Sequence, residues 1–198
     1  MSIVLQGSTS GSVTLQEPAV AGTTVLTLPA TSGTILTSAS AISASSITTG
    51  TLPKAQLPTG SVLQVVNATY STETTTSSTS FVDTGLSGSI TPLYSTSKIL
   101  VIATINGTGK GAATQMAFKL LRGSTSLFNY ESSAGYTASA DSNYVGSCGV
   151  EYLDSPSTTS STTYKVQFKS VSGGIIYSQS SGAGDGSTSS ITLMEIAA

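Results

Sequence analysis

From Lys98 to Asn106 the chain reads KILVIATIN, and both of its alternating sets of positions are apolar. At a period of two, Ile99, Val101, Ala103 and Ile105 share one face, and Leu100 and Ile102 share the other with Thr104 as its polar member. The β-branched content and the turn-forming neighbours, Ser95-Thr96-Ser97 before and Gly107 after, mark a strand rather than a helix. A strand that is apolar on both faces needs two covers. One is a second sheet of the same chain, and the other a neighbouring sheet or a neighbouring subunit.

Around this central strand the pattern predicts others at 61–70, 80–85, 88–92, 97–106, 113–122, 125–130, 143–153, 162–171, 174–180 and 189–196, the spacing of an all-β sandwich. In TYKVQFKSV, Tyr164, Val166 and Phe168 face inward while Lys165, Gln167 and Lys169 face water, and Met116, Phe118 and Leu120 repeat the motif. ITLMEI is largely apolar on both faces, which places the last strand mid-sheet or at a subunit contact. Two antiparallel sheets joined by long connections predict a jelly roll over 61–198.

The first 60 residues are built differently. Every Tyr and Phe lies between Tyr70 and Tyr177, so the N-terminal part lacks the large side chains that fill a core. Residues 2–37 carry short strand-like pieces, SIVLQ, SVTLQ, TTVLTLP and GTILT, punctuated by Gly7, Gly11, Gly22 and Gly33, and predict over 1–45 a small β region that packs on a larger assembly. From Leu36 a new spacing begins: Ile42, Ile47, Leu52, Leu57 and Val62 follow at steps of six and then five. Pro53 and Pro58 bar a continuous helix, so 46–60 reads as an extended shaft or linker. A single thread has nothing to pack on, whereas three parallel copies bury one apolar residue per step, which makes a homotrimer the expected state.

Composition narrows the function. Only 8% of the residues are charged, the net charge is -2, and the seven Lys and Arg are scattered singly, which excludes a phosphate-binding stripe and argues against nucleic acid. About a third of the residues are Ser or Thr, which favours strands and turns over helices. MSIVLQGSTS has no basic n-region, and the apolar run ILVIA is far shorter than a membrane span, so neither a secretory signal nor membrane insertion is expected. With no histidine there is no Ser-His-Asp or Cys-His set and no HExxH motif. The single Cys148 reads as a buried, inert hydrophobe.

Two carboxylates suffice for a glycosidase, and Glu131, Asp141, Glu151, Asp154 and Asp185 are available, but their contexts are those of solvated acids at loops and strand ends. GAGDGS around Asp185 lacks the lysine of a phosphate loop and reads as a hairpin turn. No catalytic residue, cofactor or metal site is therefore expected. The segment NYESSAGYTASADSNYVGS, from Asn129 to Ser147, has the Tyr, Ser, Gly and Asn mixture of a binding loop, and Tyr130, Tyr136, Asn143 and Tyr144 are its candidate receptor contacts. The competing reading puts these tyrosines at the sandwich edge or the trimer seam.

GSVTLQEPAVAGTTVLTLPATSGTILT resembles the N-terminal repeats of structural and fibre proteins from tailed bacteriophages. TSFVDTGLSGSITPLYSTSKILVIATING, YLDSPSTTSSTTYKVQFKSVSG and SSITLMEIAA look like phage fibre-head modules, which are similar to jelly rolls of the tumour-necrosis-factor and complement type. The resemblance implies a homotrimeric virion protein whose N-terminus docks on tail or capsid proteins and whose head faces outward, toward a host surface glycan. It leaves open a capsid decoration protein that binds no receptor, and a polysaccharide depolymerase. It brings no catalytic residues.

Overall fold

The computed structural model describes residues 3–6, 8–15, 54–180 and 186–198. The shaft expectation over 46–53, the strands expected in TTVLTLP and GTILT, and Asp185 lie outside the described residues. The chain divides into two compact units, Met1–Gly50 and Thr51–Ala198. In the first, β1 (Ile3–Gln6) and β2 (Ser12–Leu15) pair antiparallel, joining the first two of the expected strand pieces.

The second unit is all-β and antiparallel. It opens on a short 3-10 turn, Lys54–Gln56, and continues through β3 (Val62–Tyr70), β4 (Thr74–Thr76), β5 (Val82–Ile90), β6 (Lys98–Lys110), β7 (Met116–Arg122), β8 (Thr125–Ala134), β9 (Asn143–Asp154), β10 (Thr162–Ser170), β11 (Ile176–Ser178) and β12 (Ser189–Ile196). One sheet has the order β5-β10-β7-β8. The other is built on β6: β9 runs along one edge of it, and the opposite edge is shared by β12, which continues to β3, and β11, which continues to β4.

The period-two pattern of β6 is borne out on the inner side. Ile99, Val101, Ala103 and Ile105 are buried in one cluster with Ile191 and Leu193 of β12 and with Tyr164, Val166, Phe168, Met116, Phe118 and Leu120 of the facing sheet. Leu100, Ile102 and Thr104 are only half-buried on the outer side. There the register draws an apolar row across four strands: Val65, Met194, Leu100 and Leu153 are successive ladder partners, with Val65 and Leu153 exposed.

The strand pattern changes most at β5 and β4. The strands expected at 80–85 and 88–92 are one, β5, because a bulge absorbs the glycine-rich stretch: Thr84 is buried and its hydroxyl donates to the Val166 carbonyl at 2.9 Å, where the ladder to β10 breaks register. Gly85 takes φ 89°, and a Cβ there would lie 2.2 Å from the Tyr70 ring, so only glycine lets the strand pass. β4 was not expected at all, since TTT carries no apolar residue and only its pairing to β11 makes it a strand.

Candidate functional site

The antiparallel pairings separate two ends of the sandwich. At the base, the chain enters at Ser61 beside its own exit: Gly60 N–H donates to the Ala197 carbonyl at 2.8 Å and Ala197 N–H to the Ser61 carbonyl at 2.9 Å. β6 begins here, with Lys98 opposite Ile196, and runs the length of the sheet to Lys110, where it meets Asn143 at the start of β9 and Ile176 of β11. The segment containing Tyr136, Asn143 and Tyr144 therefore lies at the tip, opposite the entry point.

At the tip, Tyr177 of β11, Gly109 of β6 and Tyr144 of β9 are consecutive ladder partners. The two rings meet over the glycine, with centroids 5.5 Å apart and planes inclined by 54°. The Tyr177 hydroxyl donates to the Lys110 carbonyl at 3.0 Å. Burial, then the Tyr144 hydroxyl and the Glu73 carboxylate beside it, hold the Tyr177 hydroxyl above its ordinary pKa, so it stays a donor. Tyr144 and Tyr136 are 58% and 66% exposed, enough open ring on each to meet a partner. Asn143 is half-buried next to Lys110 in the ladder.

Lys110 is the foundation of this end. Its side chain is fully buried, and its ammonium donates to the carbonyls of Ala112 at 2.8 Å, Asp141 at 3.2 Å and Ser139 at 3.5 Å. Those acceptors tie the loop between β8 and β9 to the loop after β6, so a buried cation replaces the apolar residues that these polar loops lack.

Tyr130 is placed elsewhere. Its ring stacks on Phe118 at 5.9 Å and leans on Phe128 at 6.2 Å, against the core, and its hydroxyl is shut off from solvent. Burial first, with Cys148 and Glu131 adding, raises the pKa of that hydroxyl, and it does not join Tyr136 and Tyr144 at the surface. The structure lengthens the strand expected at 125–130 to Ala134, so Tyr130 lies inside β8 rather than where a strand gives way to the binding loop. Cys148 is half-buried rather than fully buried; burial raises its thiol pKa and outweighs the contact with Thr108, so little thiolate forms.

The carboxylates hold a finding the sequence pattern did not signal. Asp154, expected to be solvated, is buried at the base, where Arg122 Nη1 reaches both its oxygens at 3.0 and 2.8 Å and the Tyr164 hydroxyl donates to it at 2.6 Å. Glu195 faces inward from β12 and accepts from the N–H groups of Leu93 at 2.8 Å and Tyr94 at 3.3 Å, and from the Gln64 amide. Burial pushes the Glu195 pKa up, but the hydrogen bonds from Gln64 and these two backbone groups, with the Ser97 hydroxyl nearby, outweigh it and leave it below the ordinary value. Both acids are ladder partners of Ile99, one on each side of β6, and each is saturated with donors. Glu131 folds back on the N–H groups of Ser132 and Ser133, both at 2.8 Å. Among the described residues, no group of three or more His, Cys, Asp or Glu could hold a metal ion, and no helix is long and apolar enough to cross a membrane.

No protein-family model matches the chain, and no curated protein matches it. Function has to be read from the residues and their geometry.

Proposed function

We propose that this protein is a homotrimeric virion fibre of a tailed bacteriophage: residues 1–45 dock on the particle, 46–60 space the head from it, and the sandwich attaches to a host surface glycan. The observation that carries this reading is the placement of Tyr136 and Tyr144, exposed at the end of the sandwich opposite the entering chain. An attachment head needs its contact residues there. The strand orders β3-β12-β6-β9 and β5-β10-β7-β8 support a jelly roll of the tumour-necrosis-factor and complement type. The apolar row Val65, Met194, Leu100 and Leu153 supports assembly with further copies of the chain, because it leaves on the outer face of β6 an exposed apolar strip for a neighbouring head to cover. Asp154, held by Arg122 and Tyr164, and Glu131, folded back on its own backbone, are engaged in structural hydrogen bonds, which favours binding over hydrolysis.

The purified 198-residue chain should have three times its 19.8 kDa mass in light scattering. Added to host cells ahead of the virus particle, it should block adsorption. Normal adsorption in its presence, together with particles that burst more readily when they lack the protein, would establish the capsid decoration reading instead. Shortening of envelope polysaccharide by the purified protein would establish the depolymerase.

A further inference from the structure

We propose that the open face of the Tyr144 ring is a stacking platform for one neutral pyranose, held ready by Tyr177 across the gap that Gly109 leaves in the sheet. The proposal rests on the attachment reading above and adds the ligand class and the device that fixes the geometry.

The row that crosses the tip runs Thr75, Tyr177, Gly109, Tyr144, one residue from each of four adjacent strands. Gly109 is the element that makes it work. A Cβ at this position would lie 2.3 Å from the Tyr177 ring and 2.8 Å from the Asn143 carbonyl, so any side chain here displaces the ring. With none present, Tyr177 lies down across β6, its hydroxyl anchored on the Lys110 carbonyl, and Tyr144 leans on it from the other side. An exposed tyrosine ordinarily loses rotamer freedom when it binds. Here one side of the ring is already braced while more than half of it stays open.

A flat apolar disc bordered by hydroxyl groups matches the C–H face of a sugar ring, whose own hydroxyls then point outward to polar groups at its rim. Charge selects the kind of sugar. Glu73 acts on Tyr177, and Asp141 is exposed three residues before Tyr144, whereas the Lys110 ammonium is buried and directed at backbone carbonyls. The surface around the platform thus offers carboxylates and hydroxyls but no ammonium group from Lys110, which disfavours uronic and sialic acids and leaves neutral hexoses and N-acetylhexosamines. The sequence pattern pointed to Tyr144 but not to Tyr177 or Gly109, which lie 33 and 35 residues from it along the chain.

The test passes full-length protein over immobilised bacterial surface polysaccharides, one set built of neutral hexoses and N-acetylhexosamines, the other of their uronate- and sialate-bearing counterparts. The wild type should bind members of the neutral set. Tyr144→Ala should weaken that binding about tenfold or more, Tyr144→Phe should retain most of it, and Gly109→Ala should weaken it with Tyr144 intact. Light scattering should show each variant with the mass of the parent. Unchanged binding by Tyr144→Ala, or a wild type that prefers the anionic set, overturns the platform and leaves glycan attachment standing. Dissociation of the Tyr144→Ala assembly also overturns it, because the ring then belongs to a contact between copies of this chain. A wild type that binds neither set overturns both the platform and the glycan reading.

Discussion

The two ends of the sandwich treat polar groups in opposite ways. At the base, charge is buried and matched: Asp154 with Arg122 and Tyr164, Glu195 with Gln64 and two backbone N–H groups. At the tip, the buried charge is a lysine that binds only backbone carbonyls, and the aromatic rings lie outside. A carboxylate that bonds to side chains from other strands locks those strands together. A lysine that bonds to loop carbonyls locks only the loops. The base is therefore built for rigidity in the fold, and the tip for a defined but separable surface.

The sharpest way to break this contrast is Asp154→Ala. It leaves the buried Tyr164 hydroxyl and the Arg122 guanidinium without their shared acceptor. Removing one partner of a buried pair ordinarily costs about 3 to 5 kcal/mol, and because the Arg122 side chain keeps 29% exposure the lower figure, about 3 kcal/mol, is expected. Chemical denaturation should show it as a lower midpoint with an unchanged slope. A loss under about 1 kcal/mol would mean that the base is no more tightly bound than the tip.

Glu195 tests the same end through pH. Its folded-state pKa lies below the ordinary 4.5, so its contribution to stability is complete above that value and is lost as the pH falls through the lower folded value. Glu195→Gln should be less stable than the parent at neutral pH by about 1 to 2 kcal/mol, since hydrogen bonds to a charged acceptor are replaced by weaker ones. The gap should narrow as both proteins are melted at successively lower pH below 4.5. A gap that stays constant, or widens in acid, removes Glu195 from the base network.

Much of the fold was legible because it depends on period two. Tyr164, Val166 and Phe168 alternate cleanly, the ends of β12 match the pattern to the residue, and of the two apolar faces of β6 the one carrying Ile99, Val101, Ala103 and Ile105 is buried. What escaped was set by partners far away in sequence. Asp154 meets Arg122 at a separation of 32 residues and Glu195 meets Gln64 at 131, and nothing next to either acid announces this. β5 was read as two strands because glycine ordinarily interrupts, whereas Gly85 is required by a ring from another strand. At the tip, Tyr136 and Tyr144 were legible from composition, and Tyr130 was included with them because a binding loop and a strand edge use the same residues until the register is known.

Lys110→Met sharpens the contrast from the other side. The methionine fills the same space but leaves the Ala112, Ser139 and Asp141 carbonyls without their donor. If the lysine holds loops rather than strands, global stability should fall by only about 1 kcal/mol, while amide hydrogen exchange should accelerate selectively between Gly135 and Ser142. Exchange that quickens equally in β6 and β12 would place Lys110 among the groups that hold the sheets.

The smallest stability effect is expected at Tyr136, and it separates the two exposed rings from each other. Tyr136 follows Gly135, which packs against Val145, but among the described residues its own side chain makes no hydrogen bond or ring contact. Tyr136→Ala should therefore change the melting free energy by no more than about 0.5 kcal/mol. Its effect on glycan binding should also be the weaker one, about threefold against the tenfold expected for Tyr144→Ala, because an unbraced ring gives up rotamer freedom when it binds and Tyr144 does not. The two substitutions remove the same side chain from the same tip, so the difference between them isolates what the Tyr177 buttress contributes. Equal losses at both sites would show that exposure alone decides, and that the contact across Gly109 adds nothing to recognition.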